Sequence, residues 1–199
     1  MIKRTIYLIL IAIPFFIMAK LPERSSSGAP AGHTGAPGEG SCGTIGCHDD
    51  NSTNSGTAIL TIDMGTAAHY TPGQTYSIKV HISDADIERF GFQLTVLSND
   101  SSNAGTFQLT DPLRTQTLKS QYKFQDREYV TYTYDGTDAM SSGMSEWTVN
   151  WKAPLADKGA ITFYASAVSA NDDESDQGDH VYTKSTVLQS FYKVTELEK

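Results

Sequence analysis

From Gly56 onward, apolar and polar side chains alternate with a period of two. Leu60, Ile62 and Met64 alternate with Thr61 and Asp63, and Tyr76, Ile78, Val80 and Ile82 alternate with Ser77, Lys79 and His81. The pattern continues through Phe90, Phe92, Leu94 and Val96, then Val130, Tyr132 and Tyr134, then Trp147, Val149 and Trp151, then Ile161, Phe163, Ala165 and Ala167, and finally from Val187 to Val194. Successive side chains of a strand point to opposite faces, so each run predicts a strand with one face inward and one outward. Thr71-Pro72-Gly73-Gln74 fits a type II turn, and Asp111-Pro112, Asp135-Gly136 and Ala153-Pro154 mark further turns. No long window has a period of 3.6 residues, so helix is expected to be minor. Seven to nine short strands in about 140 residues predict an all-β antiparallel sandwich over residues 56–195.

The two ends of this pattern differ from what precedes it. Lys3 and Arg4 are followed by an apolar run from Ile6 to Ala19, broken by Pro14. That run is shorter than the roughly 20 residues of a membrane span, and reads as a signal peptide over residues 1–19. The expected location is therefore extracytoplasmic: secreted, periplasmic or on the cell surface, with no stable membrane span after cleavage. Residues 20–55 are rich in Gly, Pro and Ser, which predicts a flexible arm. Fifteen basic against 23 acidic side chains, a net charge of −8, exclude nucleic acid as an expected partner.

The only two cysteines lie in that arm, in Cys42-Gly-Thr-Ile-Gly-Cys47-His48. In the c-type haem motif Cys-x-x-Cys-His, two cysteines bond the haem and the adjacent histidine ligates the iron. Here four residues separate the cysteines, and Gly43 and Gly46 would give the longer loop its backbone freedom. Three readings stay open. One is a haem c on Cys42 and Cys47, with His48 as proximal ligand. Another is a Cys42–Cys47 disulfide formed in an oxidising compartment. The third is a zinc site using both thiols, His48 and His33. For haem, the second axial ligand is undecided among His33, His69, His81, His180, Met140 and Met144.

The segments "YTPGQTYSIKVHI", "RFGFQLTVL", "AGTF", "WTVNWKAP", "GAITFYASAVSAN" and "GDHVYT" resemble, in order and spacing, the Reeler (reelin-like) domain. The preceding "SGAPAGHTGAPGEGSCGTIGCH" is similar to the arm that precedes this domain in secreted bacterial proteins. The resemblance spans roughly residues 28–193 and implies an immunoglobulin-like sandwich outside the cytoplasm, with no catalytic residues to carry over. Bacterial relatives often end in a sorting tail, a pattern from which Leu197-Glu198-Lys199 departs.

Residues Asn171 to Asp179 hold five carboxylates, which read either as a solvated acidic turn or as a loose calcium loop. Trp147, Trp151, Phe90, Phe92 and Phe163 read as core aromatics in preference to a ligand-stacking face. No nucleophile elbow, phosphate loop or zinc-protease motif is present, so no enzyme is expected. The favoured expectation is a secreted, non-enzymatic sandwich carrying haem c for electron transfer or haem-dependent assembly. Its partner would be a redox protein, cell-surface or matrix proteins, or another copy of itself. The alternative is a surface or matrix interaction module whose cysteines are cross-linked.

Overall fold

The computed structural model describes residues 27–192. The signal peptide read over 1–19, the start of the arm and the end of the last expected strand lie outside the described residues. Ten strands build the molecule: β1 (Ile59–Asp63), β2 (His69–Tyr70), β3 (Thr75–Ser83), β4 (Arg89–Ser98), β5 (Thr106–Leu109), β6 (Thr115–Lys119), β7 (Glu128–Tyr132), β8 (Met144–Lys152), β9 (Ile161–Ala170) and β10 (His180–Ser190). They form a four-stranded sheet, β1-β3-β8-β5, and a six-stranded sheet, β2-β10-β9-β4-β7-β6. The β2–β10 pair is parallel and every other pairing is antiparallel. This is the expected all-β sandwich.

The alternating residues face each other across the two layers. Phe92 pairs with Ala167 and Leu94 with Ala165, which sets large side chains beside small ones on the inner face of the six-stranded sheet. Trp147 of the other sheet fills the space this leaves, stacked on Phe92 with ring centroids 4.4 Å apart. Trp151 meets Tyr70, Tyr76 and Phe163 at 5.7, 5.7 and 5.2 Å. Both indole N–H groups donate to backbone carbonyls, Trp147 to Gly136 and Trp151 to Ala104, so the core buries no unpaired indole. The Thr71–Gln74 turn forms as read, with Gln74 N–H donating to the Thr71 carbonyl and Gly73 at φ +77°.

Four strands differ from the sequence reading, among them the two-residue β2, too short to carry an alternation. The last begins at His180, seven residues before Val187, because Val181 and Tyr182 pair with Val168 and Ala167 of β9. β5 and β6 are short and mostly polar, one apolar phase each, and their sequences carry no extended alternation. Both sit at sheet edges, where a polar strand resists unwanted pairing.

The larger correction concerns the arm. Residues 27–55, expected to be flexible, lie across the outer face of the six-stranded sheet as a third layer. Every residue of β4 from Phe90 to Ser98 is consequently buried, including the outward-pointing Gln93 and Thr95. Gln93 Nε2 donates to the carbonyls of Ala29 and Pro30, and its Oε1 accepts from His33 N–H. Thr131 Oγ1 accepts from Ala29 N–H, and Ser166 Oγ accepts from Cys42 N–H.

Glu39 anchors the middle of this layer. Its side chain is 0% exposed and pairs with that of Arg127, 4% exposed, at 2.5 Å. The same carboxylate accepts from the Tyr129 hydroxyl and from Thr34 Oγ1. Burial and the neighbouring Glu39 push the Tyr129 hydroxyl well above its ordinary range, so it stays a donor. A Gly-rich segment has no apolar face, and it orders here because the sheet offers it complementary polar groups. Glu39→Ala strands the Arg127 charge in the interior, for which the expected cost is about 3–5 kcal/mol. Urea denaturation of the chain checks this, and an unchanged midpoint would show that the arm is not locked there.

Candidate functional site

The Cys42–His48 loop is built on that outer face. Cys42 N–H is fixed by Ser166 at 3.1 Å, and the chain then folds back on itself. Thr44 N–H donates to the Ser41 carbonyl, Cys47 N–H to the Thr44 carbonyl at 2.8 Å, and His48 N–H to the Cys42 carbonyl at 3.2 Å. Gly46 takes φ +85°, as the longer spacing required, whereas Gly43 has no positive φ. Ile45, at the tip, is 91% exposed.

The two cysteines occupy different environments. Cys42, 5% exposed, packs with Val168 and Val181 in a small apolar cluster under the arm. Burial pushes its thiol up to about 11. Cys47 is only partly buried, and its thiol is raised by burial and then by the nearby Asp49 and Asp176 carboxylates. Both are free thiols, so the disulfide of the alternative reading is not formed. Cys42 is turned into the sheet interface while Cys47 stands beyond the reverse turn.

His48 is held from the far end of the domain. Its Nδ1 lies 2.6 Å from Oδ2 of Asp179, whose side chain is 1% exposed. A carboxylate only accepts, so Nδ1 carries the proton and Nε2 is the nitrogen left with a lone pair. Asp179 Oδ1 accepts from Asn171 N–H at 3.0 Å. Sequence reading missed Asp179 as a site residue. Its only signal was position, at the end of the acidic loop, 131 residues from its partner.

The candidate axial ligands separate by location. His33 lies in the arm with Nδ1 2.8 Å from the Pro30 carbonyl, again leaving Nε2 free. The bare α-carbon of Gly40 gives room to both the His33 ring and the Thr44 hydroxyl, placing His33 beside the cysteine loop. His81 and Met144 belong to the four-stranded sheet and share the phase opposite its buried residues, on the far side of the sandwich. Met140 lines a cavity with Trp147 and Arg114 at a sheet edge. His69 packs near Phe191, and His180 faces Gly56; each has a buried Nδ1 without a partner.

Among the described residues no three His, Cys, Asp or Glu side chains gather as a metal-ligand set. The zinc reading is therefore corrected: His33, Cys42, Cys47 and His48 do not converge on one point. The calcium reading of 171–179 fails for the same reason, since the loop spends its carboxylates on local turns. Asp173 Oδ1 accepts from Ser175 N–H, and Asp172 pairs with Arg89. Among the described residues no helix is long and apolar enough to cross a membrane.

The Reeler domain family model matches residues 40–173. No curated protein sequence matches the chain. Among solved structures, a cohesin module from a Clostridium perfringens family 33 glycoside hydrolase is similar at 10% identity and a TM-score of 0.43, covering 67% of this chain and 94% of its own. An uncharacterised Nocardia farcinica protein with an immunoglobulin-like fold is similar at 14% identity and a TM-score of 0.39, covering 66% and 98%. The bacterial hydrophobin BslA gives 14% identity and a TM-score of 0.33, covering 68% and 97%.

The thiols should differ in reactivity. With the folded, haem-free chain at pH 8, iodoacetamide is expected to modify Cys47 at least tenfold faster than Cys42, because burial both shields Cys42 and suppresses its thiolate. Peptide mapping after timed quenching checks this, and equal rates would show that the arm does not cover Cys42.

Proposed function

The chain belongs to the Reeler domain family, and from that premise we propose that it is a non-enzymatic, exported module whose docked arm carries a haem c on Cys42, Cys47 and His48. The single observation that carries this reading is the His48–Asp179 pair. It leaves Nε2 as the ligating nitrogen, next to two free thiols in the chain's only Cys-Cys-His run. Two thiols and an oriented imidazole are the donor types a haem c uses, and with Cys42 sealed under the arm they would hold the group only once the arm is undocked. A bound haem supplies a one-electron couple, suited to extracytoplasmic electron transfer with a redox partner or to haem-dependent assembly with cell-surface or matrix proteins.

The residues around the loop have defined parts in this reading. Ile45, exposed in this structure, is an apolar side chain for the haem to cover. Of the candidate second ligands, His33 lies beside the loop with its Nδ1 engaged by the Pro30 carbonyl, and would be the one to hold the iron with His48 once haem is attached. Cys42 sets the order of events. Its sulfur is sealed under the arm, so attachment must precede docking of residues 27–55 on the sheet.

Expression with a cytochrome c maturation system tests the proposal. The expected product has a pyridine haemochrome spectrum and an intact mass raised by one haem, and Cys42→Ala with Cys47→Ala abolishes both. His33→Ala should keep the haem but convert a low-spin to a high-spin spectrum. A colourless product with the mass of the bare polypeptide would overturn the haem reading, leaving an interaction module of the sandwich type.

A further inference from the structure

We propose that the uncovered stretch of β10, residues 184–188, is a docking edge for an extended peptide strand that carries an acidic side chain. The proposal does not depend on haem attachment.

In a strand, the backbone groups of alternate residues point to the same edge. The Val181 carbonyl accepts from Asn54 N–H, and Thr183 N–H donates to Asn54 Oδ1. The odd-numbered residues of β10 therefore aim their backbone groups away from β9. Beyond Thr183, pairing on this side resumes with β2 at Gln189 and Ser190. Between these two covers, the N–H and C=O groups of Ser185 and Val187 have no partner among the described residues, and both residues are exposed. An unpaired strand edge of this kind is a template for another extended chain.

Side chains decide which chain fits. Tyr182 and Leu188 of β10 belong to the main core, so Lys184 and Thr186 share their inward phase. Lys184 pairs in register with the fully buried Ala165 and is nevertheless exposed. The reason is that the two sheets part between β10 and β1, the edge strand of the four-stranded sheet. A cavity of about 290 Å³ opens there, walled by Ala58, Ile59, Leu60 and Tyr182, and Lys184 is the one charged residue of its lining. Every ion pair among the described residues uses another cation, so the Lys184 ammonium has no carboxylate partner there. An inward-pointing lysine on a strand edge discourages indiscriminate pairing. It opposes a second copy of β10 as well, which would bring its own lysine to the same cleft. A strand that sets a carboxylate opposite Lys184 removes that obstacle. Val187, 55% exposed, lies on the outward phase and accepts an apolar neighbour. The occupant is thus an extended segment whose carboxylate and apolar side chain are as far apart as Lys184 and Val187, on opposite faces.

The test uses the folded chain and a synthetic peptide of about eight residues, valine alternating with threonine around one glutamate. With the peptide at about five times its Kd, exchange of the Ser185 and Val187 amides, followed by NMR, is expected to slow about sixfold. Glutamine in place of the peptide's glutamate should weaken binding about threefold, the order of an exposed ion pair, and lysine should weaken it further. Lys184→Glu changes an exposed side chain and should reverse that ranking. Val187→Pro deletes an outward N–H and no bond to β9, and is expected to weaken binding about fivefold. Unchanged exchange at Ser185 and Val187 in millimolar peptide, or one affinity for all three peptides in wild type and Lys184→Glu alike, would overturn the proposal. A sedimenting dimer with both amides protected in the absence of peptide would overturn it too, giving the edge to a second copy. If Val187→Pro does not fold, the ranking in Lys184→Glu decides.

Discussion

The outer face of the six-stranded sheet is buried along β4, and this one constraint shapes most of the molecule. A sheet face covered by backbone must match every polar group it hides, because an unpaired N–H or C=O there costs more than the bond itself yields. Gln93, Thr131 and Ser166 supply these matches along the length of the arm. Glu39 and Arg127 supply the charge-paired centre, and Tyr129 completes the carboxylate's set of donors. The sandwich is thus a three-layer structure in which the third layer is irregular chain, ordered by hydrogen bonds and not by an apolar stripe.

The cysteine loop inherits its position from that layer. Cys42 is the last point at which the arm is tied to β9, through Ser166, and the reverse turn beyond it delivers His48 to the end of β10. There Asp179 receives it. The site accordingly draws on three separate stretches: the arm, the β9–β10 connection and the outward phase of the sheet. Beyond His48, Asn54 continues the attachment, its N–H donating to the Val181 carbonyl and its side chain bonding Thr183 on the free edge of β10. The arm protects that strand edge, which β2 covers only at Gln189 and Ser190.

The acidic loop, read as either a solvated turn or a loose calcium loop, is for the most part a solvated turn. Its exposed carboxylates close local turns, and the buried one at its end reaches the histidine. The small apolar cluster of Cys42, Val168 and Val181 is likewise separate from the main core, under the arm and next to the loop. Tyr132 lies over the bare α-carbon of Gly91 on the same face, its hydroxyl pushed well above the usual range by burial first and the two cysteines next.

Much of the sandwich is legible in the amino-acid sequence, because a strand's period of two is a local property. Ile78, Val80 and Ile82, or Phe92 and Leu94, declare their inner face without reference to anything else. The Thr71–Gln74 turn, the core place of Trp147 and Trp151 and the Cys42-x4-Cys47-His48 run are legible for the same reason. The fate of the outward phase is not local. Gln93, Thr95 and Ser166 have the polarity of solvent-facing residues, and only the docked arm buries them. Glu39 and Arg127 are separated by 88 residues, and His48 and Asp179 by 131. Composition marks residues 20–55 as a chain without an apolar face, and that description is correct. Tertiary structure alone decided that residues 27–55 would nonetheless be ordered, because their partners are single polar side chains scattered over five strands, and a hydrogen bond leaves no periodic trace in sequence.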